Sequence, residues 1–228
     1  MRRWRRWYKK SLEELKKFKL YNFKNELIEN TSTERIEQLF LQQYIKPTDS
    51  VLQLGANIGT SCILVDKLID NKKMNVCLEP IKEVYDVLVK NKEYNDCGFI
   101  PVLGLLSSEK SVKMNKHAKD LNGSFVSKDG ELDVTSYTLS ELESMINSKF
   151  SVLFMDCEGC FIQVLNDFPE ILKDLRMIII EKDRLHELDY SECDEKLTDS
   201  GFKIIESWNR KANFKITSQI AYEVWEKK

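Results

Sequence analysis

Ten residues, Val51-Leu52-Gln53-Leu54-Gly55-Ala56-Asn57-Ile58-Gly59-Thr60, already dictate much of what this chain must become. They read as a buried strand, a glycine turn and the first residues of a helix. Gly55 and Gly59 bracket a turn in which side chains would obstruct a ligand, and the helix that follows offers backbone N–H groups to a carboxylate or phosphate. Twenty residues beyond Gly59, Asn75-Val76-Cys77-Leu78-Glu79 reads as a second strand ending in an acid, placed to accept the hydroxyls of a ribose. Together they predict a cofactor built on a nucleoside. The turn is neither the G-x-G-x-x-G of a dinucleotide site nor the phosphate loop G-x-x-x-x-G-K-[ST].

Further strands are expected at Phe99–Leu106, Ser151–Met155, Met177–Ile180, Phe202–Ser207 and Ile220–Trp225, with amphipathic helices between the earlier ones. The run Met177–Ile180 is continuously apolar, as a parallel strand covered on both faces should be. Ser11–Asn30 carries Leu12, Leu15, Phe18 and Phe23 in a moderate helical pattern. Thr31-Ser32-Thr33-Glu34 offers a capping box for a helix whose face is Ile36, Leu39, Phe40 and Tyr44. Ser140 and Glu143 repeat that spacing before Ile146. Residues 111–138 lack helical period and predict short strands or an ordered loop over the ligand side. Strands alternating with helices give a doubly wound α/β sheet, seven-stranded and mostly parallel, with helices on both faces. Ligands then bind at the carboxyl ends of the strands, just past which stand Gly55, Glu79, Ser107, Asp156 and Glu181. Residues 1–30 form an expected N-terminal extension and 31–228 the domain.

The short G-x-x-x-G turn looks like the motif of class I methyltransferases that use S-adenosylmethionine. More narrowly, L-G-A-N-I-G-T, then Leu78-Glu79-Pro80, then Met155-Asp156-Cys157-Glu158-Gly159 before an amphipathic helix, resembles the FkbM family of methyltransferases. The likeness runs from Val51 to the late 180s. It implies O-methylation, with a sugar hydroxyl of a glycan or glycoconjugate as acceptor. It also implies that Gly55, Asn57 and Gly59 lie under the amino-acid part of the cofactor, that Glu79 binds the ribose, and that Ser107 lies near the adenine. Gln53 and Phe161 depart from the pattern, since both positions often carry an acid.

An alcohol loses its proton poorly at neutral pH without a base, and Asp156 and Glu158 are the best placed acids. The other reading has Asp156 binding the methionine ammonium while Glu158 caps the next helix. A divalent cation on Asp156, Glu158 and Glu181 is conceivable from oxygen ligands alone but is not favoured. His117 and His186 read as ordinary surface residues. The six cysteines read as free thiols, the single C-x-x-C at Cys157 and Cys160 included, because no second cysteine pair exists.

Composition, 42% hydrophobic and 32% charged, is that of a globular domain, and no signal-like apolar core marks residues 1–30, which predicts a cytosolic chain. Charge is divided unevenly. Residues 1–24 hold ten Lys or Arg against two Glu, a net +8, leaving 25 basic against 35 acidic residues, or −10, for the remainder. Four of those arginines alternate with Trp4, Trp7 and Tyr8, a mixture that suits an anionic membrane or nucleic acid, or that packs on the domain. The acidic body and the lack of a D/N-P-P-Y/F motif after the fourth strand weigh against a nucleic-acid acceptor. A catalytically silent cofactor-binding module is the remaining rival.

Overall fold

Every residue of the strands at 51–54, 75–79 and 152–155 is buried, the mark of strands sandwiched between two helical layers. The computed structural model describes residues 18–29, 35–115, 125–126, 130–157, 159–183, 185, 188–210 and 220–228. Its elements begin with β1 (Lys19–Tyr21), β2 (Leu27–Glu29), α1 (Arg35–Tyr44), β3 (Val51–Leu54), α2 (Thr60–Leu68), β4 (Asn75–Glu79) and α3 (Lys82–Tyr94). Next come β5 (Ile100–Leu103), β6 (Leu105–Leu106), β7 (Ser111–Asn115), β8 (Phe125–Val126), β9 (Leu132–Tyr137) and α4 (Leu139–Ile146). The chain ends with β10 (Val152–Met155), α5 (Cys160–Asp167), the single turn α6 (Ile171–Asp174), β11 (Met177–Lys182), α7 (Ser191–Asp199), β12 (Phe202–Arg210) and β13 (Ile220–Lys227).

The main sheet has seven strands in the order β12-β13-β11-β10-β3-β4-β5. The run from β11 to β5 is parallel, and β13 is antiparallel to both β11 and β12. This is the Rossmann-like doubly wound fold expected from the alternating pattern. Chain direction across the sheet reverses between β3 and β10, and such a switch point opens a crevice at the carboxyl ends. The register sets Leu54 beside both Leu78 and Met155, and Met155 beside Ile180. One residue further on, Gly55, Glu79, Asp156 and Glu181 therefore form a single row across four strands.

One face of the sheet carries Leu52, Leu54, Leu153 and Met155 against Leu142 of α4, Phe161 and Leu165 of α5 and Leu197 of α7. The opposite face packs on α1 and α2 through Phe40, Leu41, Leu64 and Val65, and on α3 through Leu88. A second sheet, β6-β9-β7-β8, stands beside β5.

Four expectations are corrected. Residues 18–29 form a hairpin, not a helix, because the Asn22 carboxamide oxygen takes the N–H groups of Lys24 and Glu26 and Asn25 accepts a left-handed turn at φ 63°. Its Phe18 and Leu20, two apart on one side of a strand, bury against Ile63 and Phe99, so the division expected at residue 30 falls after a hairpin already packed into the domain. The third strand does not run to Leu106. It breaks at Gly104, φ 151°, and its last two residues join the second sheet. The α4 capping box is Thr138 with Glu141, two residues earlier than Ser140 with Glu143, whose acid instead bonds Lys149. The capping box expected at 31–34, residues 11–17 of the expected helix and the first 17 residues of the basic stretch 1–24 lie outside the described residues. No described helix is long and apolar enough to cross a membrane.

Candidate active site

Leu78 accepts the N–H groups of both Gly55 (3.2 Å) and Ala56 (2.9 Å), which pins the glycine turn to the end of β4. Gly55 has φ 84° and Gly59 has φ 97°, a region that side chains disfavour. Space for a ligand is not what keeps them bare. A Cβ on Gly55 would overlap the Asp156 carbonyl oxygen, and one on Gly59 would meet Leu88 Cδ1 at 2.7 Å. Packing between β3, β10 and α3 thus requires both glycines.

Asn57, at φ 49°, turns its own Oδ1 onto the N–H of Ile58 (2.8 Å) and donates its backbone N–H to Glu79 Oε2 at 2.9 Å. Glu79 Oε1 accepts the N–H of Ile81 at 2.9 Å. The carboxylate is 6% exposed, and burial pushes its pKa from 4.5 up to about 7 against the opposing pull of those two N–H groups. A carboxylate offers about four lone pairs, so two remain for vicinal hydroxyls. The glycine turn and this buried acid fit the ribose end of a nucleoside cofactor.

At the other end of the row, Asp156 and Glu181 meet a residue that the sequence reading passed over. Carboxylate oxygens of Glu37, Asp156 and Glu181 all lie within 4.8 Å of one another. Glu37 reaches them from α1 and is only 3% exposed. Tyr222 stands opposite Glu181 in the β11–β13 ladder, and burial followed by the charges of Glu181 and Glu37 holds its phenol far above the ordinary value. Three carboxylates gathered at this spacing make this end of the row locally acidic. The cluster therefore favours positive charge beside it, whether a proton, a hard cation or an onium group. Glu158, expected to stand with Asp156 and Glu181, lies outside the described residues, as do His117 and His186.

Ser107 takes no part in this row. Its hydroxyl is buried, donates to Asp167 at the far end of α5 (3.3 Å) and accepts the N–H of Glu109 (3.1 Å). Gln53 is wholly buried in mid-strand, and its Nε2 donates to Asn75 Oδ1 at 2.7 Å. Phe161, 1% exposed, is a core residue of α5. These two departures are thus absorbed by packing.

The free-thiol reading fails at one pair: Cys157 and Cys160 are joined in a disulfide across the turn between Asp156 and α5, with Cα atoms 5.5 Å apart. The other four cysteines are free.

No family model matches the sequence, and none of the curated proteins does. Solved structures do resemble it. A Pyrococcus horikoshii protein assigned as an RNA methyltransferase shares 15% identity at a TM-score of 0.54, covering 96% of this chain and 98% of its own. Precorrin-6y C5,15-methyltransferase from Geobacter metallireducens shares 12% at 0.53, over 87% and 90%. A Streptococcus pneumoniae protein assigned as a tRNA (m1A22) methyltransferase, solved with S-adenosyl-L-methionine, shares 15% at 0.52, over 84% and 72%. Likeness at this identity establishes the Rossmann-like methyltransferase fold.

Proposed function

We propose that the chain is an S-adenosylmethionine-dependent methyltransferase, with the cofactor across the ends of β3 and β4 and the acceptor beside Asp156. The observation that carries this reading is Glu79: a buried acid, fixed by the N–H of Asn57 on the glycine turn, with lone pairs left for a ribose. When bound, the cofactor supplies an electrophilic methyl carried on a sulfonium. The protein's own task is placement of the acceptor atom in line, which can supply several kcal/mol of the barrier reduction. Glu37, Asp156 and Glu181 lay negative potential beside that cation and offer carboxylate oxygens to an acceptor's departing proton.

Two acceptor readings rest on different observations. Nucleic acid is supported by two of the three similar structures, assigned to RNA and tRNA, and by the +8 charge and interleaved aromatics of residues 1–24. A sugar hydroxyl of FkbM type is supported by the three-motif resemblance and by a carboxylate cluster suited to an oxygen nucleophile, which must shed a proton where a lone-pair nitrogen such as adenine N1 need not. Under the second reading a cytosolic chain would reach lipid-linked acceptors through its basic arm.

Calorimetric titration with S-adenosylhomocysteine, on the wild type and Glu79→Ala, tests the cofactor. Absence of binding to the wild type would end the reading. Incubation with methyl-labelled cofactor and either RNA or glycans then separates the acceptors, and loss of RNA binding with rising salt accompanies the first.

A further inference from the structure

We infer that Cys157–Cys160 is a reversible thiol–disulfide site, whose oxidised form clamps the turn carrying Asp156 and whose reduction by a dithiol loosens it. The bridge sits where the carboxyl end of β10 gives way to α5, immediately after Asp156. Its first half-cystine is part of the packing at the switch point, since Cys157 Cα lies 3.4 Å from where a Cβ on Gly55 would stand. Among the described residues, backbone bonds from the Asp156 N–H to Leu54 (3.0 Å) and from the Cys160 N–H to Cys157 (3.2 Å) also hold this turn. Gly159, at φ 90°, starts α5 without a side-chain cap. The clamp therefore bears on the residues that the proposed chemistry needs held.

Access and isolation both favour reversibility. Cys157 and Cys160 are partly exposed, so a small dithiol reaches them. Cys62, Cys77 and Cys193 are buried, and burial raises the thiols of Cys77, Cys97 and Cys193, which makes them poor competitors for exchange. The exchange balances with one dithiol. Its first thiolate attacks one bridge sulfur, the S–S bond breaks, and the departing cysteine thiolate takes up a proton. The second thiol of the reductant then closes on the mixed disulfide, leaving two cysteine thiols and a cyclic disulfide. Two electrons pass from the reductant to the protein.

The test uses the full chain with dithiothreitol in native buffer, reading thiols by quenched alkylation and mass. Two additional alkylations without denaturant are expected, and none where oxidised glutathione is supplied after the reductant is removed and before the quench. Hydrogen exchange of the Asp156 and Cys160 amides should speed up at least tenfold on reduction, because about two residues of backbone regain freedom. Cys157→Ser and Cys160→Ser should match the reduced form and ignore the reductant. A bridge that opens only in denaturant, a protein never oxidised at this pair, or equal amide exchange in both forms would overturn the inference. These readouts need no cofactor. Only the final arm, S-adenosylhomocysteine binding roughly tenfold weaker after reduction, rests on the methyltransferase reading. No binding in either redox state would count against that reading and leave the exchange result standing.

Discussion

The carbonyl oxygen of Asp156 fills the space that a side chain on Gly55 would need, so the turn after β3 and the turn after β10 are one packed unit. Gly55→Ala must push β10 away or abandon the left-handed turn. A loss of about 3 kcal/mol or more is expected, from strain and overlap together. Gly201→Ala is the control. Gly201 has φ 88° with nothing within 4 Å of an added Cβ, so strain alone should cost about 1 kcal/mol. Thermal unfolding of the two variants checks the difference, and equal melting shifts would contradict it.

Glu79 ties cofactor binding to pH. Its folded pKa, about 7, lies above the 4.5 of an ordinary glutamate, so the folded protein binds more protons across that window. Stability of the cofactor-free protein should therefore fall as pH rises from 4.5 to 7, by on the order of 3 kcal/mol, and level off above. Cofactor affinity should run the other way, because hydroxyl donors prefer the ionised acid. S-adenosylhomocysteine titrations at pH 5.5–8.5 should show affinity climbing to about pH 7. Glu79→Gln should bind more weakly and lose both slopes.

What could be read in advance followed from local pattern. Val51–Leu54, Asn75–Glu79 and Met177–Ile180 are apolar runs closed by polar residues, and an acid at a strand's carboxyl end is visible without knowing the neighbours. Glu37 was hidden because its role depends on α1 docking over β11 and β13. The sign of it was an acid three residues before Phe40 and four before Leu41, on the buried stripe. Tyr222 meets Glu181 through the β11–β13 register, which no local pattern encodes. The hairpin at 18–29 is signalled by Asn22 and Asn25, but the apolar residues around them also fall at helical spacing, which masks those turn residues. Gly104 within an apolar run marked the break between β5 and β6.

The carboxylate cluster carries an expected separation of stability from activity. Glu37→Gln removes one of three clustered carboxylates while keeping the side chain's shape, so the melting temperature should move by only a few degrees. Under the proposed function methyl transfer should fall at least tenfold, since the lost charge belongs to the acidic cluster at the strand ends. Tyr222→Phe should lower transfer less. A chelator should leave wild-type transfer intact. Transfer abolished by chelator and restored by Mg²⁺ would reassign the cluster to a cation.

Gln53 and Asn75 answer each other across β3 and β4, with Asn75 also donating to the Cys62 carbonyl at 3.1 Å. Both are fully buried, so neither has water to fall back on. Asn75→Ala strands the Gln53 amide and removes a second bond to the Cys62 carbonyl, and about 2–4 kcal/mol of stability should be lost. Gln53→Leu alone should strand Asn75 in the same way. Replacing the pair together, Gln53→Leu with Asn75→Val, removes donor and acceptor at once and should cost less than the sum of the single changes. Denaturant unfolding of the four proteins closes the cycle. Additive losses would mean that the two side chains act independently, and that the polar pair does not explain why the first strand tolerates a glutamine.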